Sequence, residues 1–230
     1  SKGTAFAFQL YSMTEPEISE NKIDKCRTPI YFGRASKIDN SISEAKISSM
    51  ENNTVTDAVV YYVIQKNDAE SRLLYFKDKT ERDFRITPET TPYRGHYETV
   101  SGYTANSGQA KTYYVFRSYM EQLEYAGGGT ITVAAGTYTL SHSVCIPSNV
   151  TVNFEDGVKI QKVKAVNTNL ATNKTMFELV PPSKEGVKNS VGGYNGSQNV
   201  TLQGNGSTIF DCAYTLNAMA VVMGHAQNIN

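Results

Sequence analysis

The sequence has no tryptophan, only three cysteines, no net charge and no long apolar run. Each shortage excludes something. Cys26, Cys145 and Cys212 lie far apart, without a C-x-x-C or any metal-ligand spacing. Neither a disulfide framework nor a cysteine metal site is read from them. Lys plus Arg number 22 and so do Asp plus Glu, so no electrostatic hold on nucleic-acid phosphates is expected. No stretch of about 18 apolar residues occurs, so no membrane span is expected. The opening SKGTAFAFQL lacks a basic head, an apolar stretch and a cleavage site in that order, so no signal peptide is read there.

What is abundant is tyrosine, threonine and asparagine. The stretch Gly127–Ile160 organises the rest. It holds the apolar-alternating runs Thr130–Val133, Thr137–Leu140, Val144–Ile146, Val150–Phe154 and Val158–Ile160, separated by short breaks carrying Gly, Pro, Asn or Asp. A strand of four residues spans only about 13 Å. Runs so short and so close need immediate neighbours, either in an antiparallel meander or in a coil that stacks each strand on its counterpart one turn later.

A repeat favours the coil. Ser148–Val152 reads SNVTV, Gln198–Leu202 reads QNVTL, and Gln227–Asn230 reads QNIN. The asparagines lie 50 residues apart (199 minus 149) and then 29 (228 minus 199). The first interval fits one turn plus an inserted loop, Lys162–Ser197. Val150, Val152, Val200, Leu202, Ile209 and Val221 are expected to share one inward face. Ahead of these runs, Val115, Tyr119, Leu123 and Ala126 form the stripe of an amphipathic helix, Thr112–Ala126, widened by Phe116 and Met120. Thr112 is the expected start cap and Gly127 the stop. Its expected task is to cover the open end of the coil.

The chain divides in this reading into a β-sandwich module at 1–92, a linker at 93–110 and the coil at 111–230. The first module rests on strand count: Thr4–Tyr11, Thr28–Gly33, Thr54–Gln65, Ser71–Lys77 and Asp83–Thr87. Such spacing without a helical run predicts an immunoglobulin-like or fibronectin-like sandwich.

The lead-in Tyr113–Ala126, then GGGTITVAAGTYTL, IPSNVTVNFEDGVKI and QNVTLQGNGSTIF, resembles the start of the right-handed parallel β-helix of the pectate lyase and polygalacturonase superfamily. The resemblance covers 111–160 and 176–230. It implies an all-β fold: a sandwich followed by a helix-capped partial solenoid. It implies a secreted or cell-surface, bacterial protein acting on a pectin-like or other polysaccharide. The alternative on the same scaffold is a non-catalytic carbohydrate-binding or adhesin module. The superfamily's Asn-Thr-Asp, Asp-Asp, Gly-His-Gly and Arg-Ile-Lys patterns do not occur in this part of the sequence. The catalytic turns are therefore expected outside this chain, and this segment alone is expected to be inactive. No cofactor or metal is expected in it, with Ca²⁺ left open for a longer protein. An open last turn would also allow end-to-end self-association.

Three residues stand out as candidates for substrate binding. Tyr194 lies in the flexible-looking GGYNG loop, Asp211 follows an apolar pair at a strand end, and His225 sits in MGHA. Each has a plain structural reading as a loop or corner residue. Glu155-Asp156 before Gly157 reads as a turn, and Lys159, Lys162 and Lys164 read as solvated lysines on an open sheet face.

Overall fold

The computed structural model describes residues 6–11, 18–24, 28–33, 54–56, 62–65, 71–74, 81–93, 110–163, 175–185 and 190–230. The chain forms two compact units, Ser1–Asp78 and Lys79–Asn230. Most of the expected linker, 94–109, lies outside the described residues.

The first unit contains β1 (Phe6–Tyr11), β2 (Lys22–Asp24), β3 (Thr28–Gly33), β4 (Thr54–Thr56), β5 (Tyr62–Gln65) and β6 (Ser71–Leu74). β1, β3 and β5 pair in parallel, and so do β2 and β4. Among the described strands of this unit only β5 and β6 are antiparallel, with Tyr62 opposite Leu74 and Gln65 opposite Ser71. This overturns the immunoglobulin-like sandwich, whose sheets are antiparallel. Strand count carried that expectation, and alternation in a strand is the same whichever way its neighbour runs. The last expected strand of the sandwich also belongs elsewhere. β7 (Asp83–Ile86) pairs with β8 of the second unit.

In the second unit β7 is followed by helix α1 (Lys111–Ala126). Then come β8 (Gly129–Val133), β9 (Gly136–Leu140), β10 (Val144–Cys145), β11 (Val150–Phe154), β12 (Val158–Lys162) and β13 (Thr175–Glu178). A 3₁₀ turn at Pro182–Lys184 leads to β14 (Gln198–Gly204), β15 (Thr208–Asp211), β16 (Met219–Val222) and β17 (Gln227–Ile229). The strands form three sheets, ordered β17-β14-β11-β8-β7, β15-β12-β9 and β10-β13-β16, and all their pairings are parallel. From β8 onward, successive strands enter these three sheets in rotation. With α1 packed on β8, β9 and β10, the architecture is mixed α/β, parallel sheets with a helix against them. The all-β class is corrected accordingly.

The three asparagine repeats lie in register: Val152 faces Ile131 and Leu202 along one sheet, and Val200 faces Ile229. Val150, Val152 and Val200 are fully buried, and Leu202 and Val221 are half-buried. Ile209 breaks the expectation. It lies opposite Lys159 and is exposed, whereas Phe210 lies opposite Ile160 and turns inward. Phe210 packs edge-on against Phe154 (5.5 Å) and Phe177 (6.1 Å), and Phe177 against Phe116 of α1 (6.0 Å). One aromatic cluster thus joins all three sheets to the helix.

The helix starts at Lys111 with Ala110 as its cap residue and no side-chain capping bond, so Thr112 does not cap it. Gly127 ends it at φ 80°, its N–H donating to the Glu124 carbonyl. Phe116, Met120 and Leu123 are completely buried. Gly128 and Gly129 follow because a Cβ there would stand 2.3 Å from the Asn149 carbonyl oxygen and 2.1 Å from that of Arg82.

Candidate functional site

β15 sets the orientation of Asp211. Pairing puts Asp211 beside Gln161 and Ile209 beside Lys159, so these side chains share the outward face of the sheet. Asp211 Oδ2 accepts from Lys159 Nζ at 2.8 Å and from Gln161 Nε2 at 3.1 Å. Its Oδ1 accepts from the Ala213 N–H at 2.8 Å. The Lys159 hydrogen bond, with the Ala213 N–H, holds the carboxyl below the usual aspartate range. The chain then turns through Ala213 and Tyr214, at φ 49° and 51°. Two successive non-glycine residues in the left-handed region are strained, and the Tyr214 side chain stands wholly in solvent.

Tyr194 and His225 come together at a different place. Asn195 folds the loop between Ser190 and Gly196, its Oδ1 accepting from the Gly192 N–H at 2.6 Å. His225, at φ 64°, lies with Nδ1 2.8 Å from the Gly193 carbonyl oxygen, and the Gly196 N–H donates to the His225 carbonyl at 2.9 Å. Gln227 Nε2 donates to the Tyr194 carbonyl at 2.7 Å. The Tyr194 ring is exposed. The structure therefore joins Tyr194 to the His225 segment, while Asp211 has its own partners on β12. Glu178, on β13, accepts from the Ser143 hydroxyl at 2.8 Å, whereas Asp211 is held by Lys159 and Gln161.

Glu155, Asp156 and Lys162 resolve into structural roles. Glu155 receives a two-pronged bond from Arg85, at 3.1 and 3.0 Å, which lowers its carboxyl from the ordinary value. Asp156 accepts from the Ser207 N–H at 2.6 Å, in keeping with its reading as a turn residue. Lys162 departs from expectation. Val158, Ile160 and Lys162 alternate inward on β12, so the lysine stem enters the core. Its amine donates to the carbonyls of Ser141 (2.9 Å) and Thr175 (3.3 Å). Burial depresses its pKa to about 8, against the pull of Cys212 and Glu178. Lys164 lies outside the described residues.

Sequence reasoning also missed features that only contact creates. On α1, Arg117 and Glu121 are buried and paired at 3.2 Å, with Arg117 Nη1 donating to the Tyr113 hydroxyl at 2.9 Å. The i, i+4 spacing of Arg117 and Glu121 is visible in the sequence, but their burial is not. A cavity of about 300 Å³ opens between the Thr87–Thr91 turn and the start of α1, lined by threonine hydroxyls and by Phe116 and Tyr138. The Tyr138 hydroxyl donates to the Ala134 carbonyl at 2.8 Å, and burial pushes its pKa up to about 12.

Among the described residues no group of three or more His, Cys, Asp or Glu side chains is arranged to hold a metal. No helix among them is long and apolar enough to cross a membrane. Comparison with family models, curated proteins and solved structures returns no match.

Proposed function

We propose that the Lys79–Asn230 unit is the glycan-facing part of a secreted or cell-surface, polysaccharide-active protein. The observation that carries this reading is the outward cluster of Asp211, Lys159 and Gln161, followed three residues along the chain by the exposed Tyr214. A sugar ring presents C–H groups on its faces and hydroxyls around its rim. An exposed tyrosine ring suits the first, and a carboxylate, an ammonium and an amide suit the second. The strain at Ala213 and Tyr214 supports a role for the exposed ring beyond packing. The rotation of strands through three parallel sheets supports the resemblance to pectin-degrading β-helix proteins. In this reading the chain binds the polymer, and any chemistry on it is supplied by residues outside this chain.

Affinity electrophoresis through gels holding neutral or acidic polysaccharides tests the reading. At least one polymer should retard the protein, and Tyr214→Ala and Asp211→Ala should each weaken retardation several-fold while both variants remain folded by circular dichroism at the temperature of the assay. Retardation by no polymer, or unchanged retardation in both variants, would reject it.

A further inference from the structure

We infer that Asn205 is a site of spontaneous deamidation, and that its conversion loosens β15. The reactants are the Asn205 side-chain amide, the Gly206 backbone nitrogen and water.

The chain has two Asn-Gly pairs, Asn195-Gly196 and Asn205-Gly206. An asparagine before glycine cyclises readily, because no Cβ obstructs the attacking nitrogen and the backbone can reach the geometry required. The fold treats the two pairs differently. Gly196 is buried, and its N–H donates to the His225 carbonyl at 2.9 Å. Asn195 is held as well, its Oδ1 accepting from the Gly192 N–H at 2.6 Å and its Nδ2 donating to the Ser190 carbonyl at 3.4 Å. Asn205 and Gly206 are both exposed, in the corner between β14 and β15. Among the described residues the Gly206 N–H meets no acceptor, and the Asn205 side chain has one bond, from Gln203 Nε2 to its Oδ1 at 3.2 Å.

The exposure belongs to the corner itself. The register of Phe154 with Gly204 and of Val158 with Thr208 sets Asp156 level with Gly206. Strands flank the Asp156 corner on both sides, β8 and β9 on one and β14 and β15 on the other. Asp156 is nonetheless exposed, and its N–H meets no acceptor among the described residues. Stacking of neighbouring strands therefore does not close this position.

The Gly206 nitrogen attacks Asn205 Cγ, the Cγ–Nδ2 bond breaks, and Nδ2 leaves as ammonia with the proton given up by the Gly206 nitrogen. Water then opens the cyclic imide at Cγ, giving aspartate, or at the main-chain carbonyl, giving isoaspartate. The second product lengthens the backbone by one carbon. The corner has no slack for it: Asn205 N–H donates to the Phe154 carbonyl at 2.8 Å, Ser207 N–H to Asp156 Oδ1 at 2.6 Å, and Gly157 N–H to the Ser207 carbonyl at 2.9 Å. β15 starts at the next residue, Thr208, and loosens with the corner. Since β15 carries Asp211, glycan retardation would fall too; that consequence alone rests on the function proposed above.

Peptide mapping by mass spectrometry, during incubation of the intact protein at mildly basic pH under reducing conditions, follows both asparagines, with the protein in denaturant as reference. Folding should slow Asn195 roughly tenfold or more, because its hydrogen bonds must open first, and should slow Asn205 by less than about threefold. Equal slowing at the two sites, or faster conversion at Asn195, would overturn the inference. Hydrogen exchange in 208–211 should be faster in the incubated protein than in Asn205→Gln incubated alongside it. Equal exchange in the two after Asn205 has converted would overturn the loosening of β15.

Discussion

Asn199 donates its side-chain amide to the side-chain oxygen of Asn149 across 2.9 Å, and the two residues stand 50 positions apart in the sequence. Both hold left-handed backbone, at φ 55° and 60°. Asparagine tolerates that conformation better than most residues and makes use of its side chain there. Asn199→Ala loses this bond and the one Asn228 Nδ2 donates to Asn199 Oδ1 at 3.0 Å, and it places a methyl in the left-handed region. It should cost about 1–2 kcal/mol in chemical denaturation. Asn199→Gly keeps the backbone and should cost less. Equal losses in the two variants would show that the backbone conformation contributes little.

Lys162 makes a test by pH. Its folded pKa is about 8, below the ordinary 10.5, so the unfolded chain binds the extra proton between these values. Stability therefore rises with pH through this window, at a limiting slope of about 1.4 kcal/mol per unit. Lys162→Met should abolish that rise. Tyr138 acts oppositely and higher up, its raised pKa of about 12 eroding stability from about pH 10. The buried Cys145 thiol, raised well above its ordinary value by burial, opposes this rise toward the upper end of the window. The difference between the melts of the protein and of Lys162→Met from pH 7 to 9.5 therefore isolates the lysine, and parallel curves for the two would refute its burial.

Leu123 anchors the helix. It is completely buried, and its Cδ2 lies so close to Gly129 that a Cβ there would sit 2.8 Å away. Leu123→Ala should cost about 2–5 kcal/mol, the range for emptying a packed leucine site. Leu123→Asp should cost more, and light scattering should show aggregation as the ends of β8, β9 and β10 are uncovered. Unchanged melting and solubility would count against the covering role.

Polysaccharide cleavage is the fourth test. Hydrolysis by paired carboxyls needs two groups about 5–10 Å apart across the bond. Asp211 is held by Lys159 and Gln161, and Glu178 by Ser143. The purified chain should bind glycan without releasing reducing ends or unsaturated uronides. Release that survives Asp211→Asn but not His225→Ala would move the site to the Tyr194 loop.

Alternation, corner residues and one helical stripe were enough to locate β8 to β12, α1 and the three matching asparagines. These are local signals: a period of two or 3.6, and residue types suited to particular φ values. The sequence alone also pointed to Gly127 as the helix stop, because left-handed backbone favours glycine. Tertiary structure decided the rest. Strand direction in the first unit was invisible, because a strand's own pattern does not record its neighbour's direction. Ile209 and Phe210 are both apolar, and only pairing with Lys159 and Ile160 sends the phenylalanine inward. Lys162 enters the core because β12 keeps alternating to its last residue and the Ser141 and Thr175 carbonyls meet its amine. Tyr194 and His225 meet because the backbone of a loop and that of a later turn hydrogen-bond to each other. In each case the deciding partner lies far along the chain, where composition and period carry no information.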